Sequence, residues 1–195
     1  AENMKAYTFG IADDVSFEKE LANRGVHVFM HDHTIPCLPE THDYFHFSRV
    51  GISHIDEPEN NKLSMKTLLQ RNGDLGNNRL LLKMDVEGAE WDCIESMPTE
   101  ILNQFCQITF ELHRLTDIDN ERKIINCLDK LNLTHQVIWI HANNFGHIEK
   151  AGEGLEVPAY IEVTYVNKSL YRTESGNCSF PLSIDMPDHP GIEEY

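Results

Sequence analysis

Leu80-Leu81-Leu82-Lys83-Met84-Asp85-Val86-Glu87-Gly88-Ala89-Glu90-Trp91 runs from an apolar stretch into two acids, a glycine and a segment of helical character. A near-continuous apolar run is the pattern of a parallel strand buried on both faces, and open α/β sheets bind ligands at the carboxyl ends of such strands. Asp85 and Glu87 are therefore expected at a site. Their spacing of two sends both side chains the same way if the strand persists, and Gly88 lets the backbone turn before a helix over 89–97.

On either side of this stretch, short apolar runs alternate with amphipathic ones, the signature of one α/β domain with a parallel sheet wound by helices. The strands are expected at 6–9, 26–30, 45–50, 80–84, 106–112 and 137–141. A seventh, at 159–166, alternates Ile161, Val163 and Tyr165 with Glu162 and Thr164, the pattern of a more exposed, antiparallel strand. One helix places Phe17, Leu21 and Ala22 on its inner face, with Asp14 or Ser16 as N-cap. A second spans 63–70, turns Leu68 and Leu69 inward and stops at Gly73. Another starts at Asp119 or Asn120 and buries Ile124, Ile125, Leu128 and Leu131. A glycine-containing connection covers 145–156. The domain is expected over 1–171, and the tail 172–195, with three prolines and two glycines, wraps its surface or is mobile.

The 195 residues suffice for one full core, and no run approaches the roughly 20 apolar residues of a membrane span. A formal charge of −16 opposes nucleic acid and anionic membranes as partners. Cys37, Cys93, Cys106, Cys127 and Cys178 are odd in number and scattered, which suits reduced thiols in a cytoplasmic protein. Composition leaves the oligomeric state open.

The strand ends converge on one edge of such a sheet, bringing Gly10, Asp32, Ser53, Asp85, Glu111 with His113, and His141 together. Gly10 permits close approach of a ligand, and the following helix offers unpaired N–H groups. Asp32 lies 22 residues beyond Gly10, near the spacing at which an acid meets a ribose hydroxyl. The turn Gly10-Ile11-Ala12-Asp13-Asp14-Val15 lacks a G-x-G-x-x-G pattern. Its acids would repel a pyrophosphate but accept hydrogen bonds from an ammonium group. A cofactor with a ribose and an amino-acid end fits, and S-adenosylmethionine has both.

At residues 9–18, 82–91, 110–113 and 140–144 the chain resembles the FkbM-like S-adenosylmethionine-dependent methyltransferases. The Asp85-Val86-Glu87-Gly88-Ala89-Glu90 run is the most specific match, and the resemblance extends over roughly residues 5–166. It implies a class I methyltransferase fold, a doubly wound, mostly parallel seven-stranded sheet of order 3-2-1-4-5-7-6 with strand seven antiparallel. It also implies a cofactor over strands one to three, with Gly10 and Asp13 near its methionine part, Asp32 at the ribose, and Ile52 and Ser53 near the adenine. Ile11, Ser16 and His33 complete the expected cofactor-binding set. Ala12 departs from the family, many of whose relatives carry a second glycine there. The first strand also comes within a few residues of the start of the sequence, where the family has a helix covering the site.

Members of the family commonly O-methylate sugars or other small hydroxylated metabolites. A hydroxyl attacking a methylsulfonium loses its proton as the bond forms, and Asp85, Glu111, His113 and His141 are the candidate groups to take it. Histidine suits neutral pH best, so His113 or His141 is the favoured base, with Asp85 orienting the acceptor. In a metal-assisted version, Asp85, Glu111 and His141 hold a divalent cation such as Mg2+. Asn143 and Asn144 turn the chain or hold substrate hydroxyls, and Phe17 and Trp91 pack against the sheet. The competing class is a non-catalytic domain of the same fold that binds a nucleoside or a partner.

Overall fold

A computed structural model describes residues 4–151, 154–174, 176 and 181–192; Cys178 lies outside them. In chain order the elements are β1 (Lys5–Phe9), α1 (Ser16–Asn23), β2 (His27–His31), β3 (Phe45–Ser48), β4 (Gly51–Ile52) and β5 (Lys62–Leu63). Then follow α2 (Met65–Arg71), β6 (Leu80–Met84), α3 (Glu90–Ser96), α4 (Thr99–Leu102), β7 (Phe105–His113) and α5 (Glu121–Thr134). The chain continues through β8 (His135–Ala142), β9 (Ile148–Ala151), β10 (Leu155–Pro158) and β11 (Tyr160–Asn167).

Seven strands form one sheet in the order β3-β2-β1-β6-β7-β11-β8. Counted along the chain without the short pairs, this is 3-2-1-4-5-7-6. β11 is antiparallel to both its neighbours, while β3, β2, β1, β6 and β7 pair in parallel. The expected fold class is the observed one. The opening apolar run is β6, at the sheet's centre, with Leu80, Leu82 and Met84 no more than 2% exposed. Truncating any of them to alanine removes about 2–5 kcal/mol. That anchoring fixes the position of Asp85 at the strand's end.

The helices cover the two faces unequally. One core cluster packs Tyr7, Phe9, Leu82, Ile108, Phe110 and Val163 beneath residues of α2, α3, α4 and α5. The other is smaller, joining Ala6, Val28 and Met30 to Ile11, Val15 and Ala22 around α1. Beyond α1, the second face exposes a row of polar strand residues to a cavity.

Several boundaries differ from the sequence reading. α1 buries Glu18 and Ala22 with its N-cap at Val15, and this phase leaves Phe17 38% exposed at the cavity. Asp14 lies one residue outside the cap and accepts from the Ser16 backbone N–H at 2.8 Å. α5 buries Ile124, Cys127 and Leu131, so Ile125 points to solvent. The expected third strand breaks after Ser48, and Gly51–Ile52 pairs instead with Lys62–Leu63. Leu63 therefore precedes α2, whose N-cap is Ser64, accepting from the Thr67 backbone N–H. The connection at 145–156 holds most of an exposed hairpin, β9 paired with β10.

The tail packs on the domain where it is described. Trp139 Nε1 donates to Asp185 Oδ1 at 2.8 Å. Asn144 donates to the carbonyls of His189 and Ile192, and its Oδ1 accepts from the His189 backbone N–H. Asn144 thus clamps the tail.

Candidate active site

A cavity of about 780 Å³ opens along the carboxyl ends of the strands, within the range of small-molecule sites. Of the expected cofactor residues, Gly10, Ile11, Asp13, Ser16, Asp32, His33 and Ile52 line it, as do Asp85 and Glu111. Ser53 does not reach it. It turns into a separate small recess with His54 and Ser64, because its Oγ is held by Glu57 Oε1 at 2.5 Å.

The β1 end is built from backbone. Gly10 has φ +76°, and a Cβ there would lie 1.6 Å from the Asp85 carbonyl oxygen. The glycine is therefore required by close packing of two strand ends, and by their bonds: Asp85 N–H donates to Phe9 O at 3.1 Å and Lys83 Nζ to Gly10 O at 3.2 Å. Ala12 also lies in the left-handed region, at φ +50°, where a second glycine would be free of strain.

Asp32 organises this loop. Its Oδ2 accepts from the backbone N–H groups of Ile11 and Ala12, at 2.9 and 3.2 Å. Its Oδ1 accepts from Thr34 N–H and Thr34 Oγ1, at 2.8 and 2.6 Å. Burial raises its pKa, but these bonds outweigh burial and hold it at about 2. Four donors fill the lone pairs of this carboxylate. Thr34 also lines the cavity, and its hydroxyl, donating to Asp32, keeps acceptor capacity. Next to it, His31 is buried and stacked on Phe9 at 5.1 Å, its pKa lowered to about 4 by burial. Both its ring nitrogens lack hydrogen-bond partners among the described residues. The same holds for Glu18 Oε1, a carboxyl 1% exposed at the cavity floor, whose pKa burial raises.

Across the cavity the arrangement is ionic. One ligand atom each of Asp85, Glu111 and His113 lies within 4.8 Å of the others. The histidine that joins the two acids is His113, not His141, because β11 is inserted between β7 and β8. Burial first, and then the Asp85 charge, push the Glu111 carboxyl up to about 8. Asn143 Nδ2 donates to Glu111 Oε1 at 3.1 Å, which gives that asparagine a place in the site.

His113 is positioned by Glu90, which is fully buried at the start of α3. Glu90 Oε1 lies 2.6 Å from His113 Nδ1 and accepts from the His113 backbone N–H at 3.1 Å, while Oε2 accepts from Gly88 N–H at 2.7 Å. Gly88, at φ +101°, is thus held by Glu90 rather than by Glu87. Glu87 and Asp85 both extend toward His113 Nε2, at 3.5 and 3.9 Å. Burial lowers the His113 pKa, but the bond and charge of Glu90 prevail and raise it. With the Nδ1 proton given to Glu90, neutral His113 carries its lone pair on Nε2, toward Asp85. Trp91 Nε1 donates to His113 O at 2.8 Å and steadies the strand end from behind.

His141 stands elsewhere. Its Nδ1 lies 3.3 Å from Glu162 Oε2 and 3.7 Å from Asp188 Oδ2, and its ring stacks on Trp139 at 5.6 Å. Glu90, Thr34, Glu18, Glu162 and Asp188 escaped the sequence reading. Of these, Glu90 had a signal: an acid five residues beyond Asp85, in the first turn of the expected helix.

No family model matches the chain. It is 29% identical over 123 residues to "Probable methyltransferase-like protein 24" of Homo sapiens, a match covering 56% of the chain and 32% of that protein. The chain thus spans about a third of the length of this curated relative. Among solved structures, it is similar to a protein described as a "putative DNA modification methyltransferase encoded within prophage" of E. coli. That likeness has a TM-score of 0.52 at 9% identity and covers 89% of this chain and 49% of the other. A SAM-dependent methyltransferase from Anabaena variabilis aligns with a TM-score of 0.44 at 8% identity, over 86% of this chain and 78% of its own. The likeness to the prophage protein is one of fold.

Proposed function

We propose that the chain is a S-adenosylmethionine-dependent methyltransferase domain that methylates a hydroxyl on a saccharide or other small metabolite. The observation that carries this reading is the division of one cavity into an organised backbone loop on one side and Asp85 and Glu111 on the other, with His113 buried behind them and its ligand atom within 4.8 Å of theirs.

The residues present fit the cofactor. His31 and Ile52 line the part of the cavity where a purine would lie, and the Thr34 hydroxyl offers an acceptor to a ribose. The unpartnered oxygen of Glu18, with Asp13 at the rim, suits an ammonium group. When bound, the cofactor supplies an electrophilic methyl group. His113 Nε2 takes the acceptor's proton, Glu90 stabilises the imidazolium that results, and Asp85 orients the hydroxyl. A metal-assisted version, with a divalent cation such as Mg2+ held by Asp85, Glu111 and His113, is favoured by the 4.8 Å clustering of their ligand atoms. The charge of −16 favours an uncharged or cationic acceptor over a nucleic acid.

Methyl transfer from labelled S-adenosylmethionine to a panel of hydroxylated acceptors tests the reading. Transfer by the wild type, abolished in Asp85→Ala and His113→Ala, is expected. Equal turnover in both variants would refute the site, and an unaffected rate after chelation would remove the metal version.

A further inference from the structure

Outside the group assigned to catalysis, His141, Glu162 and Asp188 also bring one ligand atom each within 4.8 Å of one another. They come from three separate parts of the chain. Glu162 on β11 stands directly opposite His141 on β8 and, on its other side, opposite Glu111 on β7, so all three side chains share the cavity face of the sheet. Asp188 is delivered by the tail, which Asn144 and Trp139 hold in place. We infer that His141, Glu162 and Asp188 form a second binding site for a divalent transition-metal cation, one that ties the tail to the sheet beside the catalytic group.

Three donors that each approach an ion to about 2.0–2.3 Å must lie within about 4.6 Å of one another, and this group is already close to that spacing. One imidazole and two carboxylates suit Mn2+, Fe2+ or Zn2+ better than Ca2+, which prefers oxygen alone. The ring is nine-tenths buried and stacked on Trp139, so it is oriented before any ion arrives. Charge supports the same assignment. Glu162 and Asp188 converge on a wall that already holds Asp85 and Glu111, and the lysines lining the cavity are Lys62 and Lys83. Even a protonated His141 leaves its own group at net −1, whereas a dication neutralises it. Burial, and then Asp188, accordingly raise the Glu162 pKa.

The site does not depend on methyl transfer, so its test needs no turnover. The full chain, stripped with chelator, is titrated with Mn2+ and with Zn2+ by calorimetry, and thermal stability is followed in parallel. In the Asp85→Asn background, which disables the Asp85, Glu111 and His113 group, one equivalent is expected to bind, with a rise in Tm. Glu162→Gln and Asp188→Asn should each weaken that equivalent about tenfold or more and lose the metal-induced rise, while folding normally without metal. Retention of wild-type affinity in both variants, or no binding of either ion at millimolar concentration in the wild type, would overturn the assignment. In the latter case His141 serves only as a polar partner of Glu162 and Asp188.

Discussion

The two sides of the cavity solve opposite problems. At the ends of β1 and β2, one carboxylate is fully occupied: Asp32 receives four hydrogen bonds and its pKa falls to about 2. At the ends of β6 and β7, Asp85 and Glu111 face each other, and the Glu111 pKa rises to about 8. The first carboxylate is used up in shaping a loop. The second is held at a cost to stability, and such cost accumulates where a structure serves chemistry more than folding.

The largest effect is expected where the two sides touch. Gly10→Ala drives a Cβ into the Asp85 carbonyl and adds left-handed strain, destabilising the fold by about 3 kcal/mol or more in chemical denaturation. A loss below about 1 kcal/mol would mean that the strand ends are not packed as described.

Asp32→Asn comes next, with an expected loss of about 2 kcal/mol at pH 7. Because the folded pKa of Asp32 lies below its usual value of 3.8, its contribution is present above pH 4 and disappears as pH falls through about 2. The variant should therefore lack that part of the wild type's acid sensitivity. Glu111→Gln is predicted to have the opposite sign. A carboxyl raised from 4.5 to about 8 withdraws stability as pH climbs through that interval, so the variant should gain about 1 kcal/mol at pH 8 and little at pH 4. It should also lose methyl transfer. Stabilisation with activity retained would show that Glu111 is only a strained structural acid.

Much of this contrast was legible in the sequence, and the illegible part has physical reasons. The strands and the convergence of Gly10, Asp32, Asp85, Glu111 and His113 followed from apolar runs ending in polar residues, and the strand order from the family resemblance. Which acid is saturated did not, because it depends on Thr34 folding back two residues onto Asp32. Nor did the pairing of His141: the expected strand order separates it from Glu111, but that Glu162 and Asp188 face its ring depends on the register of β11 and the path of the tail. Ser53 was misplaced because a two-residue ladder replaces the end of the expected third strand. Glu18 reads as a solvated helix acid until the helix phase turns it inward.

Smaller effects sharpen the comparison. Glu90→Gln is expected to slow transfer about 10–100-fold by loosening His113. It should also move the acidic limb of the kcat/KM profile to lower pH, since the carboxylate that stabilises the imidazolium is gone. An unshifted limb would leave Glu90 a purely structural acid. Ala12→Gly relieves the strain at φ +50° but enlarges the freedom of the unfolded chain, so stability should change by less than about 1 kcal/mol in either direction. A larger loss would assign the Ala12 methyl a packing role.

The central claim is that the loop ordered by Asp32 is a cofactor cradle, and calorimetric titration with S-adenosylmethionine tests it most directly. One equivalent should bind to the wild type, and Thr34→Val and Glu18→Gln should each bind it more weakly while remaining folded. No heat of binding at millimolar cofactor, in a chain shown to be folded, would contradict the account.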